Sequence, residues 1–368
     1  MTWSVFVRAS HLDREGPHNP FPGRQALERR MGHSLPIQLG SNEGLDMPHQ
    51  ALGEALGTQV AELARAYGDA QAFELRQQLA EQLSTSPEAL LVDAGADSLI
   101  ALTLRALCDT GTTVITSAGT YPTFRYFAEG HGCRLVEVAY RQAPGQLAPD
   151  VEALVQAAWL HHSRLVYLAN PDNPSGHCLA SADIAYLVDN LPPTCHLLLD
   201  EAYHEFRADQ EDSAPMDRVV RLRTFSKAHG LAGLRIGYAI ASPALLEVML
   251  KVRIHYAVSS VAQAAAMVVL THIDEVEHHV QAVIKRREQL ATQLQVWGAD
   301  VLPSATNFVA IRMPNAGAAE SAQQALLADG VIVHRPPHPA LADILRISAV
   351  EEALVPGHLA ALQNVLEG

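Results

Sequence analysis

Arg223-Thr-Phe-Ser-Lys227 runs directly into Ala228-His-Gly-Leu-Ala-Gly-Leu-Arg235. The run at 219–224 is β-type, so the stretch predicts a strand that ends in a turn of small residues with a lysine held in it. A lysine placed there has a definite chemical use. Its amine condenses with an aldehyde, while Arg235 and the hydroxyls of Thr224 and Ser226 hold a phosphate. An aldehyde that also carries a phosphate is pyridoxal 5'-phosphate, bound as a lysine Schiff base. The plain alternative is a surface lysine in a glycine-rich loop.

Two upstream segments favour the first reading. Ala169-Asn-Pro-Asp-Asn-Pro-Ser-Gly176 and His196-Leu-Leu-Leu-Asp-Glu-Ala-Tyr203 each close an apolar β-type run (164–168 and 196–199). Their polar residues therefore fall at carboxyl ends of strands, where open α/β sheets bind ligands. A pyridoxal ring accepts electrons best when its nitrogen is protonated, which calls for an acid, and Asp200 emerges there after three leucines. Asn173 and Tyr203 supply polar groups for the ring hydroxyl. Taken singly, Asp200 reads equally as a cap or turn residue and Asn173 as an Asx turn before Pro174. Gly95-Ala96-Asp97 follows a strand expected at 90–94 and opens a helix expected at 98–107. A helix start offers free N–H groups to a phosphate, and a glycine lets the backbone approach it. The ordinary alternative is a helix cap by Asp97.

On these motifs the chain resembles the fold-type I pyridoxal-phosphate enzymes of the class I/II aminotransferase superfamily, most nearly the histidinol-phosphate aminotransferase branch. Matching segments run from about residue 39 to 352. They comprise Ser41-Asn-Glu43, Tyr67-Gly-Asp69, Gly95-Ala-Asp97, Gly119-Thr-Tyr121, Asn173-Pro-Ser-Gly176, Asp200-Glu-Ala-Tyr203, Ser226-Lys227 through Arg235, and Leu345-Arg-Ile-Ser348. They are specific for the superfamily and weakly specific for substrate. The resemblance implies transamination between an amino acid and a 2-keto acid, and a homodimer with shared active sites. It implies that Gly95, Ala96 and Asp97 cup the cofactor phosphate, that Tyr121 stacks on the ring, and that Arg346 holds the α-carboxylate. It implies that Tyr67 reaches the phosphate of the neighbouring subunit, with Gly68 here in place of the usual proline, and that Asn42 lines the substrate pocket, with Gly44-Leu45 in place of the usual Asn-Pro. The branch places an arginine for the distal substrate group directly after a Gly-Val/Ile-x-Val run. Here Gly330-Val-Ile-Val333 is followed by His334, and Arg335 comes one later. In a strand that shift turns the side chain to the other face, so His334 is expected to face the pocket in place of an arginine.

The rest of the chain fits a soluble α/β enzyme. Its 368 residues allow two or so domains. Lys+Arg 26 against Asp+Glu 40 gives a net charge of −14, which argues against a nonspecific nucleic-acid binder. The four cysteines form no C-x-x-C pair and no zinc spacing, and read as reduced, mostly buried residues of a cytoplasmic protein. No metal site is expected, and the pairs His161-His162 and His278-His279 read as solvent-facing helix positions. The start, 1–8, is too short an apolar stretch for a signal peptide. The apolar run at 257–270, broken by serines and a glutamine, reads as a buried helix and not a membrane span.

Residues 16–23 are turn-rich and read as an extended arm, with a short helix at 25–31. Strands are expected at 90–94, 112–117, 134–139, 164–168, 196–199, 219–224 and 236–241. Helices at 98–107, 122–130, 150–161 and 181–190 alternate with them, the pattern of a mainly parallel sheet covered on both faces. The seven strands fit the large domain that the resemblance implies. A long helical stretch, 243–297, then precedes strands at 308–312, 331–334 and 345–348, which reads as a smaller α+β domain. The expected division is an arm over 1–45, a cofactor domain over 46–243 and a small domain over 244–368. Two other readings share the motifs: a non-transaminating pyridoxal enzyme (decarboxylase, lyase, cyclase or oxidase) on the same scaffold, and a ligand sensor. The sensor needs a DNA-binding module, and the arm carries no helix-turn-helix pattern.

Overall fold

The computed structural model of the chain describes residues 9–12, 23–208 and 213–367. The apolar start at 1–8 and most of the turn-rich stretch at 16–23 lie outside them. A seven-stranded sheet dominates, in the order Leu90–Asp93, Gly237–Ile240, Val219–Thr224, His196–Asp200, Leu165–Ala169, Thr113–Ser117, Arg134–Val138. Gly237–Ile240 is antiparallel to both its neighbours, and the remaining pairings are parallel.

The strand sequences explain the layers. Leu-Leu-Val-Asp, Leu-Val-Tyr-Leu-Ala and His-Leu-Leu-Leu-Asp are almost unbroken apolar runs, which bury only between two sets of helices. Successive residues then point to opposite faces. Val114, Leu165, Tyr167, Leu198 and Val220 pack with the helices Gly95–Leu107, Pro122–Gly130 and Pro243–Leu250. Ile115, Val166, Leu168, Leu197 and Val219 pack with Val151–Leu160 and Ser181–Asn190.

A smaller antiparallel sheet, Asp300–Leu302, Phe308–Arg312 and Ile344–Ser348, packs with Ile273–Val296, Ala316–Ala328 and Pro356–Glu367 around Leu290, Val309, Ile347 and Leu362. Near the amino end, Ile37–Gln38 pairs in parallel with Val331–Ile332, which ties residues 37–39 into this part of the molecule. Among the described residues, no helix is long and apolar enough to cross a membrane.

The expected elements are present with shifted ends, and three differences have physical causes. The stretch 243–297 is three helices, Pro243–Leu250, Ser260–Thr271 and Ile273–Val296. The first break is pinned by Arg253, whose guanidinium donates to the Asp93 carboxylate at 2.9 Å, to Ala70 O at 2.6 Å and to Val92 O at 2.7 Å. The Ser259 hydroxyl then accepts from Ala262 N and caps the second helix. The strand expected at 331–334 keeps only Val331–Ile332, and His334 instead forms an isolated bridge with Arg346. The histidine pairs are not alike. His161 and His162 follow the end of Val151–Leu160, whereas His279 is 5% exposed. The helix Ile273–Val296 turns His278 outward and buries its neighbour, because consecutive helical residues lie about 100° apart.

Candidate active site

The carboxyl ends of the parallel strands converge on one edge of the large sheet. Asp93 leads into Gly95, Ser117 into Tyr121, Ala169 into Asn173, His196–Asp200 ends on Asp200, and Thr224 leads into Lys227. Gly237–Ile240 runs the other way, so its amino end lies at that same edge and delivers Arg235 there. At this edge lies a cavity of about 1530 Å³, lined among others by Asn42, Asp97, Tyr121, Asn173, Asp200, Tyr203, Lys227, His334 and Arg346.

At its floor, the Lys227 ammonium is pushed down to about 8, first by burial and then by the charge of Arg346. Its Nζ donates to Ser41 O at 3.4 Å and stands 6.0 Å from the centre of the Tyr203 ring. The Asp200 carboxylate is pushed up to about 6, chiefly by burial. It accepts from Tyr167 Oη at 2.8 Å and from Ala202 N at 3.1 Å, and no cation among the described residues pairs with it. Tyr203 Oη accepts from Asn42 Nδ2 at 3.0 Å. Asn42 itself is held by Ser348 Oγ, which donates to its Oδ1 at 2.8 Å, and by Asn307 Nδ2, which donates to its carbonyl at 3.0 Å.

One end of the cavity collects donors. The helix Gly95–Leu107 opens there with no side-chain cap, leaving its first N–H groups free. Asp97 is therefore not the cap; it sits in the first turn and accepts from Tyr121 Oη at 2.9 Å and from Arg235 Nη2 at 3.4 Å. Arg235 Nη1 reaches Ser226 Oγ at 3.4 Å, and Thr224 Oγ1 donates to Ser226 Oγ at 3.0 Å. Gly95 has φ +81°, and a Cβ there would stand 3.1 Å from Arg235 Nη2. A bare glycine, free helical N–H groups, hydroxyls and a guanidinium form a cradle suited to a phosphate.

At the other end Arg346, 2% exposed, donates from Nη1 to Asn173 Oδ1 at 2.5 Å and from Nη2 to Gly40 O at 2.6 Å. Its Nε is buried without a hydrogen-bond partner, and its fork lies 5.1 Å from the centre of the Phe308 ring. His334, bridged to Arg346 through the backbone, is held well below the usual histidine range by burial and by that arginine. Arg335 turns toward the helix Ala316–Ala328, where Nε meets Gln323 Oε1 at 3.3 Å and Nη2 lies 3.9 Å from the Glu320 carboxylate. Tyr67 does not line this cavity; it is 82% exposed and stacks on Tyr256 with ring centres 4.8 Å apart.

A phosphate cradle, a buried acid lacking a cation, and between them a lysine with a depressed pKa match the three functional ends of pyridoxal phosphate. The class I and II aminotransferase family profile matches residues 36–362. The chain belongs to the class I and II aminotransferases. It is 36% identical over 310 residues to an aromatic amino acid aminotransferase of Corynebacterium efficiens, covering 83% of this chain and 87% of that one. It is 34% identical over 328 residues to a histidinol-phosphate aminotransferase of Anaeromyxobacter, covering 88% of each. The crystal structure of histidinol-phosphate aminotransferase from Sinorhizobium meliloti in complex with pyridoxal-5'-phosphate superposes with a TM-score of 0.90 at 34% identity, over 99% of this chain and 98% of that one. The protein is thus a pyridoxal-phosphate-dependent aminotransferase of fold type I.

Four residues of this aminotransferase site escaped the sequence reading. Tyr167 looks like one more apolar position of a buried strand, and its hydroxyl is the only hint of a polar duty. Ser348 and Asn307 hold Asn42 from more than 250 positions away, which no local pattern encodes. Asp172 sits inside the quoted Asn-Pro-Asp-Asn-Pro segment, where an acid between two Asn-Pro turns was the available signal.

Proposed function

We propose that Lys227 is the lysine that holds the cofactor and moves the substrate proton, with Asp200 as the acid at the ring nitrogen and Arg346 as the carboxylate anchor. The observation that carries this is the convergence of all three in one cavity, each on a different element. Bound there, pyridoxal phosphate supplies an electron sink for the charge left at the substrate's Cα. Lys227 takes the proton from Cα, helped by a pKa that leaves much of its amine neutral near pH 8. Asp200 keeps its negative charge in a low-dielectric setting, where it favours a protonated nitrogen opposite it. Asn173 and Tyr203 would face the ring hydroxyl, Tyr121 would cover the ring, and Gly95, Ala96, Asp97, Thr224, Ser226 and Arg235 would hold the phosphate. Arg346 fixes the carboxylate and so orients the Cα–H bond, with Asn42 shaping the entry beside Tyr203. Borohydride reduction of the loaded enzyme is expected to tag Lys227, and Lys227→Ala to abolish turnover. A tag on another lysine would remove the assignment.

The substrate we propose is an amino acid with an uncharged, preferably aromatic side chain. His334 stands where the branch places an arginine, and burial keeps it neutral. Arg335 is engaged with Gln323 and Glu320. The cavity's lining includes Leu27, Met31, Tyr126, Phe127 and Leu327 beside Arg24, Arg30 and Arg335, and its apolar members suit a flat apolar group. Losing a charge-assisted contact weakens a phosphate tail by on the order of 2 kcal/mol. Steady-state comparison should therefore give phenylalanine or tyrosine a higher kcat/KM than histidinol phosphate. Arg335 lines the cavity too, so the reverse order would mean that it leaves Gln323 and Glu320 to meet the phosphate.

The same reading makes the protein a homodimer with composite sites, supported by the exposed Tyr67–Tyr256 stack beside exposed Leu250 and Ile254. It divides the chain into an arm (1–45), a cofactor part (46–243) and a small part (244–368), supported by the separate core around Val309 and Leu362. It assigns a reducing, cytoplasmic setting, supported by four free cysteines and checked by cell fractionation.

A further inference from the structure

The mechanism above leaves a buried acid just behind the cavity's lining, next to Asn173, without a role. Asp172 is 1% exposed, and no cation among the described residues pairs with it. Its Oδ1 accepts from Tyr140 Oη at 3.0 Å and from Thr120 Oγ1 at 3.3 Å. Its Oδ2 accepts from Ser175 Oγ at 2.6 Å, from Ser175 N at 3.1 Å and from Tyr140 Oη at 3.1 Å. Those donors come from three separate segments: the turn after Thr113–Ser117, the chain just past Arg134–Val138, and the loop after Leu165–Ala169. A desolvated carboxylate is costly unless its lone pairs are filled, so it draws all three segments to one point.

That point adjoins Asn173. The Thr120 hydroxyl spans both Asp172 Oδ1 and the Asn173 carbonyl, each at 3.3 Å. The backbone on either side is closed as well, with Asp172 N donating to His177 O at 2.7 Å and Gly176 N to Asp172 O at 2.9 Å. With its main chain fixed, Asn173 has only its side-chain torsions left, and its Oδ1 accepts a hydrogen bond from Arg346 Nη1. We propose that Asp172, through Tyr140, Thr120 and Ser175, is a positioning residue that sets the Asn173 amide against Arg346 and thereby aims the guanidinium fork at the substrate carboxylate. The inference rests on Arg346 being the carboxylate anchor. Burial pushes the Asp172 carboxyl up to about 6, in keeping with a group held by geometry at an energetic cost.

The test uses the loaded enzyme and hydrocinnamate, a carboxylate without an amino group, whose binding is measured by calorimetry. Asp172→Asn keeps the shape but turns an amide donor toward groups that already donate. It should weaken hydrocinnamate about tenfold, the scale of one charge-assisted hydrogen bond. KM for the amino acid should rise in parallel, and kcat should change by less than about threefold. Tyr140→Phe, which removes one donor and leaves the backbone alone, should weaken it about threefold; it carries the test if Asp172→Asn does not fold. Adding Asp172→Asn to Asn173→Ala should cost nothing further, because both act on one contact. A lowered melting temperature with unchanged hydrocinnamate binding in both single variants would make Asp172 a purely structural residue and overturn the proposal. Arg346→Lys serves as the reference. If it binds hydrocinnamate normally, or if the unaltered enzyme does not bind it, the anchor reading fails and this inference with it. If Arg346→Lys is weakened while Asp172→Asn and Tyr140→Phe are not, only this inference fails.

Discussion

Asp200 illustrates how burial tunes a single residue. Its folded pKa of about 6 lies above the ordinary carboxylate value, so the folded chain binds a proton more tightly than the unfolded one. Stability from this group is fully present below about pH 4 and is lost as pH rises through about 6. In cofactor-free protein, urea unfolding should therefore show a fall on the order of a few kcal/mol between these pH values. Asp200→Asn should show a smaller fall, leaving the contributions of Asp172 and Glu205, both also raised by burial. Saturation with pyridoxal phosphate should lessen the wild-type fall, because a protonated nitrogen would compensate the charge. Identical slopes for wild type and Asp200→Asn, without cofactor, would contradict the burial argument. Asp200→Asn should also keep its fold and lose most of its activity, since it no longer favours a protonated ring.

At the scale of the element, the start of the helix Gly95–Leu107 is the sensitive joint. Gly95 holds φ +81°, a left-handed conformation that costs an L side chain roughly 1–2 kcal/mol. A methyl group there would also crowd Arg235 Nη2 at 3.1 Å. Gly95→Ala should fold with a slightly lower melting temperature and bind pyridoxal phosphate about tenfold more weakly, a loss of about 1.4 kcal/mol. An absorbance titration of the apo protein measures this. Unchanged affinity would show that the first turn of the helix lies away from the phosphate. The antiparallel strand Gly237–Ile240 matters for the same joint, since a Cβ on Gly237 would stand 3.2 Å from the Gly95 Cα. Close contact between these two backbones brings Arg235 beside the helix start.

At the scale of the whole molecule, the exposed aromatic pair Tyr67–Tyr256 and the exposed apolar residues Leu250 and Ile254 are side chains that a monomer would leave wet. If a second copy covers it and Tyr67 serves the neighbouring site, inactive subunits should complement each other. Mixing Lys227→Ala with an inactive Tyr67→Ala protein under exchange conditions should restore up to about a quarter of wild-type activity, the share of sites with both residues intact in a random mixture. A fully active monomer in sedimentation would rule this out.

The sequence by itself determined the layered α/β architecture, the polar ends of the strands and the lysine in its small-residue turn. These follow from short-range causes: apolar runs set the strands, glycine and proline set the turns, and a strand's end is where its polar residues emerge. It also carried enough local motif to mark the superfamily. Only the tertiary structure decided what each strand end meets. The reversal of Gly237–Ile240 placed Arg235 at the same edge as Asp200. The bridge between His334 and Arg346 buried the histidine and sent Arg335 toward Glu320. Arg253 broke a continuous helical pattern by reaching Asp93, and Tyr167 acquired a carboxylate partner on the neighbouring strand. Each of these is a contact between residues far apart in the chain, fixed by sheet order and side-chain packing, and neither periodicity nor turn chemistry extends that far.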